Sequence, residues 1–119
     1  MLAGIANASM CHQQCIGISV TKNNFSLENE TLLLVKDEAK NRVKILHDYH
    51  FGGYAKYTKQ LIDFMNKMRT DYNLPLDFVY TAKALYAVYH LAEKKFFSQG
   101  SNILFIHSGG LQGNRSLPH

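Results

Sequence analysis

Short apolar segments that alternate with amphipathic ones constrain the fold of this chain more than any other feature. Residues 15–20 (CIGISV) and 102–107 (NILFIH) are rich in β-branched and apolar side chains, which predicts buried strands, and Val43–Leu46 (VKIL) is a short extended segment. The intervening segments carry apolar residues at helical spacing, which predicts helices over residues 2–8, 26–42, 57–72 and 81–97. Strands that are apolar on both faces are typical of parallel sheets covered by helices, so we expect an α/β fold with a mostly parallel sheet.

Length and composition exclude several classes of protein. A chain of 119 residues, of which 46% are hydrophobic, suits one globular domain. Two cysteines are too few for a disulfide-rich secreted scaffold. The longest apolar runs, at residues 32–35 and 103–106, are far shorter than the roughly 20 residues of a membrane span. Because the first residues also lack the basic and apolar regions of a signal peptide, we predict a cytoplasmic protein without a membrane partner.

The positive charge does not predict a nucleic-acid partner. The formal net charge is +4, but the 13 lysines and arginines are scattered, and no run of them exceeds two residues. Nucleic-acid binding needs clustered basic residues. A solvated helix surface is the favoured interpretation, and a basic environment for an anionic ligand remains open.

Metal binding and nucleophilic catalysis have weak support. Cys11, Cys15, His47 and His50 could supply four zinc ligands, but the CxxxC spacing is uncommon in structural zinc sites, so no metal is predicted. A cysteine–histidine dyad lacks an electropositive helix start beside either cysteine. Ser108 lacks the turn motif of serine hydrolases.

Three loop positions have both a structural and a functional interpretation. Ser108 and the glycines after it follow a predicted strand, where parallel α/β folds bind ligands, but they also suit a plain turn. Thr81 is placed to cap a helix, yet Tyr80 and Thr81 at a helix start are also well placed to contact a ligand. Tyr54, beside Gly52-Gly53, is either a ligand contact or a packed loop residue.

Four motifs in order resemble one family of enzymes. The chain closely resembles the C-terminal part of the 1-aminocyclopropane-1-carboxylate deaminase and D-cysteine desulfhydrase family, which are pyridoxal-phosphate enzymes of the tryptophan-synthase-β type (fold type II). The motifs are HFGGYAK at residues 50–56, LDFVYTAK at 76–83, Gly100-Ser101, and IHSGGLQGN at 106–114. The resemblance implies a partial three-layer parallel sheet flanked by helices.

The resemblance also implies roles for five residues. Tyr54 and Tyr80 match two active-site tyrosines that face the substrate, a small amino acid. Thr81, Ser108 and Gly109 match the cofactor side of the site, and either Thr81 or Ser108 could place a hydroxyl near the pyridine nitrogen. Deaminases of the family tend to carry glutamate at the position of Thr81, so threonine is closer to the desulfhydrase branch. Family members are expected to form homo-oligomers.

The resemblance leaves parts of the active site outside this sequence. The opening residues 2–5 look like the helix that follows the family's glycine-rich phosphate loop, and the opening helix has no capping residue of its own, so we expect the chain to begin inside a longer element. No lysine here matches the Schiff-base lysine, including Lys56 and Lys83. We therefore expect a fragment of a lyase or deaminase that is inactive alone. The alternative is a non-catalytic α/β module that binds a small anion or a partner.

Overall fold

Two short strands, β1 (Cys15–Ile18) and β2 (Val43–Leu46), form a parallel sheet. In this computed structural model, which describes residues 1–118, Cys15 pairs with Val43 and Ile18 pairs with Leu46. The remaining elements are four α-helices and two 3₁₀-helices: α1 (Leu2–Ala8), α2 (Leu27–Leu32), α3 (Lys59–Tyr72), α4 (Thr81–Glu93), and the 3₁₀-helices Asp37–Arg42 and Leu111–Ser116. The predicted α/β class with a small parallel sheet is therefore confirmed.

Helix α4 takes part in two apolar clusters. One face packs on α3 and on the loop before α4, in a core formed by Leu61, Met65, Met68, Leu76, Phe78, Val79, Ala82 and Leu85. Another face places Ala87 and Leu91 beside Tyr49 and the ends of both strands. Because α4 is buried on more than one side, it forms a rigid base for side chains at its first turn.

Helix α3 has well-defined ends. The hydroxyl of Thr58 accepts a hydrogen bond from the backbone N–H of Leu61 at 3.3 Å. Asn73 adopts a left-handed conformation with φ of 50° and ends the helix. The predicted helix over residues 57–72 is thus confirmed with a later start.

The predicted helix over residues 26–42 is wrong in its middle. The chain forms α2, then a turn, then the 3₁₀-helix Asp37–Arg42. Four consecutive apolar residues at 32–35 cannot all lie on one face of a helix. Val35 alone is buried, whereas Leu34 is 72% exposed.

The predicted strand over residues 102–107 is also wrong. The segment has no regular secondary structure, and Leu104 is 86% exposed. A strand needs a neighbour for its N–H and C=O groups, and no strand within residues 1–118 lies beside this segment. The residues that follow, expected to be a loop, include the 3₁₀-helix Leu111–Ser116.

None of the helices within residues 1–118 is both long and apolar enough to cross a bilayer.

Candidate functional site

The first turn of α4 is fixed by the carboxylate of Asp77. One carboxylate oxygen accepts the backbone N–H of Tyr80 at 2.7 Å, and the other accepts the N–H of Thr81 at 2.9 Å. These are two of the N–H groups that a helix start leaves without partners. Asp77 is fully buried, so this cap holds the start of α4 rigidly against the core.

The hydroxyl of Thr81 is committed to the same cap. It donates to a carboxylate oxygen of Asp77 at 2.6 Å and accepts the backbone N–H of Asp77 at 2.8 Å. Thr81 is only 2% exposed. The expectation that Thr81 caps the helix is therefore wrong, because its hydroxyl accepts no N–H of the helix and instead holds Asp77, whose carboxylate forms the cap.

The two tyrosines singled out in the sequence lie side by side. The phenol of Tyr80 donates a hydrogen bond to the phenol oxygen of Tyr54 at 3.1 Å, and the ring centroids are 6.1 Å apart. The side chains are 46% and 56% exposed, so both phenols can meet a ligand. The fold thus brings together two residues that lie 26 positions apart in the sequence.

The hydrogen bond between the phenols affects the acidity of Tyr80. The bond to Tyr54 raises the pKa of Tyr80, because the protonated phenol is the donor, and burial and the nearby Asp77 raise the pKa further. Tyr80 therefore stays protonated at neutral pH, where it can donate a hydrogen bond but cannot act as a base.

Tyr54 is carried by a loop that depends on glycine. Gly52 and Gly53 have φ of 100° and 125°, which are values that L side chains rarely adopt. The N–H of Gly52 donates to Nδ1 of His50 at 3.0 Å, and the N–H of Lys56 donates to the carbonyl of Gly53 at 3.0 Å. The loop therefore makes a tight turn that presents Tyr54 toward the start of α4.

Lys83 is a residue of this site that the sequence reasoning did not assign a role. Its side chain is fully buried, and its ammonium donates to the carbonyl of Gly53 at 2.9 Å. Burial lowers the pKa of Lys83 to about 8, although the negative charge of Asp77 opposes that change. A charged residue inside the helical core pattern was the available signal, since lysine is rarely buried without a partner.

The segment after residue 106 packs against the loop that precedes α4. Nδ1 of His107 accepts the N–H of Gly109 at 3.1 Å, which leaves the proton on Nε2 to donate to the carbonyl of Pro75 at 2.8 Å. A Cβ on Gly110 would lie 3.4 Å from a carboxylate oxygen of Asp77, so glycine permits this close approach. Ser108 is exposed on this segment.

The amide of Asn114 fastens the last 3₁₀-helix to the loop before α4. Its oxygen accepts the N–H of Phe78 at 3.0 Å, and its nitrogen donates to the carbonyl of Leu76 at 2.8 Å. The chain segments around residues 54, 80 and 110 therefore form one assembly around Asp77.

The candidate metal ligands do not form such an assembly. Cys11 is exposed, and Cys15 is buried in a separate apolar cluster with Ala6, Val35 and Ala39. His47 pairs with Glu28, whose pKa is lowered by that hydrogen bond. Within residues 1–118, the structure contains no cluster of three or more His, Cys, Asp or Glu side chains suited to a metal ion.

The fold and the site together define the class of this protein. It is an α/β protein that presents a capped helix start and paired phenols at one surface. Comparison with curated proteins identifies its relatives. The chain is 41% identical over 91 residues to a protein of Pyrococcus horikoshii provisionally named 1-aminocyclopropane-1-carboxylate deaminase, a match that covers 76% of this chain and 26% of the relative. A protein of Pyrococcus furiosus with the same provisional name is 37% identical over 107 residues, or 84% of this chain and 32% of the relative.

A plant relative has a two-part name. The bifunctional D-cysteine desulfhydrase/1-aminocyclopropane-1-carboxylate deaminase, mitochondrial, of Arabidopsis thaliana is 35% identical over 69 residues, which is 57% of this chain and 17% of that protein. No family model matches the chain. The chain is thus homologous to members of the 1-aminocyclopropane-1-carboxylate deaminase and D-cysteine desulfhydrase family, as the motifs predicted. It spans about a quarter to a third of the length of the Pyrococcus relatives.

Proposed function

We propose that these residues form the C-terminal part of a pyridoxal-phosphate-dependent lyase or deaminase with a tryptophan-synthase-β-like fold. The observation that carries the proposal is the contact between the phenols of Tyr54 and Tyr80. The two residues lie in separate motifs that resemble this family, and the fold joins them at one exposed surface. A small amino acid is the proposed substrate of the whole enzyme.

Thr81 and Ser108 differ in how well their hydroxyls could contact pyridoxal phosphate. Thr81 fits poorly, because its hydroxyl already donates to and accepts from Asp77 in a buried position. Ser108 fits better, since it is exposed beside Gly109, where an added Cβ would meet nothing within 4 Å. We therefore assign the hydroxyl near the pyridine nitrogen to Ser108, with Gly109 beside the cofactor, and give Thr81 a supporting role.

The cofactor, when bound, supplies an electron sink that stabilises negative charge at the substrate α-carbon. The protein's own residues then orient the substrate. Tyr80 uses its proton to bond Tyr54, which leaves the phenol proton of Tyr54 available to donate toward the substrate. Because Tyr80 holds its proton at neutral pH, the pair acts as a fixed donor.

A neutral hydroxyl at Ser108 supports a desulfhydrase more than a ring-opening deaminase. A glutamate near the pyridine nitrogen would hold it protonated and strengthen the electron sink, but position 81 carries threonine. β-Elimination from D-cysteine, with release of sulfide and, after hydrolysis, pyruvate and ammonia, asks less of that sink than cyclopropane opening does. D-Cysteine is therefore the preferred proposed substrate, and 1-aminocyclopropane-1-carboxylate is the second.

The first experiment uses the purified 119-residue chain with pyridoxal phosphate. We expect no visible absorbance band of lysine-bound cofactor and no ammonia release from either amino acid, because no lysine here matches the Schiff-base lysine. Clear turnover by this chain alone would contradict the proposal. Tight binding of pyridoxal phosphate by this chain without turnover, together with an inactive chimera in the experiment below, would instead favour a non-catalytic, anion-binding module.

The second experiment places the chain in a whole enzyme. A chimera replaces the matching 91-residue segment of the Pyrococcus horikoshii relative with the residues of this chain. We expect it to release ammonia from D-cysteine and to lose roughly 10²-fold or more in rate when Tyr54 is changed to phenylalanine. Tyr72→Phe is the matched control, because Tyr72 is an exposed tyrosine at the end of α3. Equal activity of both variants would contradict the assigned role.

A further inference from the structure

The ammonium of Lys83 occupies an unusual position for a lysine. It is fully buried in α4 and donates to one backbone carbonyl, that of Gly53, at 2.9 Å. Burying an ammonium costs free energy unless its hydrogen bonds and charge find partners. A methionine or leucine would fill the same space without that cost, so packing alone does not explain a lysine here.

The carbonyl that Lys83 holds belongs to the peptide that carries Tyr54. A peptide group is planar from one Cα to the next, so fixing the oxygen of Gly53 also fixes the Cα of Tyr54. Gly53 itself has φ of 125°, and its backbone can turn more freely than that of any other residue. Without Lys83, this carbonyl would keep only the hydrogen bond from the N–H of Lys56 in the same loop, so the position of Tyr54 would depend on the loop alone.

Lys83 is also linked to Tyr80, through the backbone of α4. Tyr80 is the residue just before α4 and Lys83 is the third residue of that helix, so the first turn of α4 fixes their backbones relative to each other. Lys83 is joined to Tyr80 along α4 and to the carbonyl of Gly53 by a hydrogen bond. Gly53 is bonded to Tyr54, and the phenol of Tyr54 is hydrogen-bonded to that of Tyr80, so these contacts form a closed ring.

We propose that Lys83 is a positioning residue that, through the carbonyl of Gly53, holds Tyr54 where the phenol of Tyr80 can donate to it. The inference goes beyond the proposed function, because it holds for any ligand that the two phenols contact. A purely structural lysine would contribute to stability without controlling the distance between the phenols.

The test measures the pKa of the phenols of Tyr54 and Tyr80 in the full 119-residue chain. It uses NMR with tyrosine labelled at the ring carbon that carries the hydroxyl. Tyr54→Phe and Tyr80→Phe assign the two signals. In Lys83→Met we expect the pKa of Tyr80 to fall toward 10.0, and we expect the same direction of change when Tyr54→Phe removes the acceptor. The double variant Lys83→Met/Tyr54→Phe is expected to match Tyr54→Phe alone. Because burial lowers the pKa of Lys83 to about 8, the lysine is neutral where tyrosines titrate, so the substitution removes no charge there.

A measurement at neutral pH gives the same answer without alkaline conditions. We expect the nuclear Overhauser contact between the rings of Tyr54 and Tyr80 to be lost in Lys83→Met. A folded variant that keeps both this contact and the wild-type pKa of Tyr80 would overturn the proposal. A further fall of that pKa in the double variant would overturn it too, because Lys83 would then act independently of Tyr54.

A second substitution disturbs the hydrogen bond between Lys83 and Gly53 from the loop and leaves the core intact. A Cβ at Gly53 would meet its nearest atom, on Lys22, at 3.7 Å, so Gly53→Ala strains only the backbone. We expect Gly53→Ala to lower the pKa of Tyr80 in the same direction as Lys83→Met. Gly100→Ala is the matched control, because Gly100 has φ of 82° and nothing within 4 Å. An unchanged pKa in Gly53→Ala, or an equal fall in Gly100→Ala, would overturn the proposal.

Discussion

The side chains of Asp77 and Thr81 hold each other in a reciprocal arrangement. The carboxylate accepts both the hydroxyl and the backbone N–H of Thr81, and the hydroxyl accepts the N–H of Asp77. The two residues are four positions apart and almost fully buried, so the loop and the helix it enters behave as one unit. This unit carries Tyr80, and with it one half of the phenol pair.

Replacing Asp77 is expected to destabilise the protein strongly. Asp77→Ala removes the acceptor of the N–H groups of Tyr80 and Thr81, one of them in a buried residue. The loss of the cap and the unpaired N–H groups together should lower the free energy of unfolding by about 2–3 kcal/mol. Urea denaturation measures this change. Asp71→Ala, at an exposed position near the end of α3, is the control and should change stability by less than about 0.5 kcal/mol. Equal effects of the two substitutions would refute this assignment.

Lys83 is expected to make stability depend on pH in the alkaline range. In the folded protein its pKa is lowered from 10.5 to about 8, so between these values the unfolded chain binds more protons and stability rises with pH. Relative to Lys83→Met, the wild-type free energy of unfolding should increase by about 2 kcal/mol from pH 7 to pH 9.5. Tyrosines titrate in both proteins and largely cancel in the difference.

Guanidinium denaturation of both proteins at each pH gives this difference directly. Lys56→Met, which removes an exposed lysine from the loop that carries Tyr54, serves as the control and should show no such trend. A pH-independent difference between wild type and Lys83→Met would show that Lys83 is charged throughout the range.

Asn114 is expected to control the attachment of the C-terminal segment. Asn114→Ala removes two hydrogen bonds to backbone groups of Leu76 and Phe78, which should cost about 1–2 kcal/mol. The effect should be local, with faster amide hydrogen exchange at Phe78. Asn102→Ala, in the exposed segment, provides the comparison. An amide exchange rate at Phe78 that stays at the wild-type value in Asn114→Ala would contradict this role of Asn114.

Glu28 and His47 are expected to form a pair that depends on pH at the acid end. The hydrogen bond from His47 lowers the pKa of Glu28 below its usual 4.5. The stability that this pair contributes is present above about pH 4.5, and it is lost as the pH falls through the lowered folded pKa. His47→Leu should raise the pKa of Glu28 toward its usual value, as measured by carboxyl-carbon NMR. His12→Leu, at an exposed histidine, should leave it unchanged.

Local sequence patterns determined the parts of the fold that rest on local interactions. Helical spacing of apolar residues predicted α3 and α4, and the apolar segment at residues 15–20 predicted β1, because periodicity records which face of an element is buried. The same reasoning failed for residues 102–107. An apolar segment becomes a strand only when another strand satisfies its backbone, and the sequence pattern does not show whether that partner is present.

The sequence by itself also determined the resemblance to the deaminase and desulfhydrase family, since Tyr54 and Tyr80 stand in recognisable motifs. Only the tertiary structure decided that their phenols touch, that the hydroxyl of Thr81 is taken by Asp77, and that Lys83 reaches the carbonyl of Gly53. The contacts of Tyr54 and Lys83 join residues 26 and 30 positions apart, whose distance depends on how the loop packs on α4. Sequence spacing records the neighbours along a helix or strand, whereas contacts between elements are set by the packing of the core.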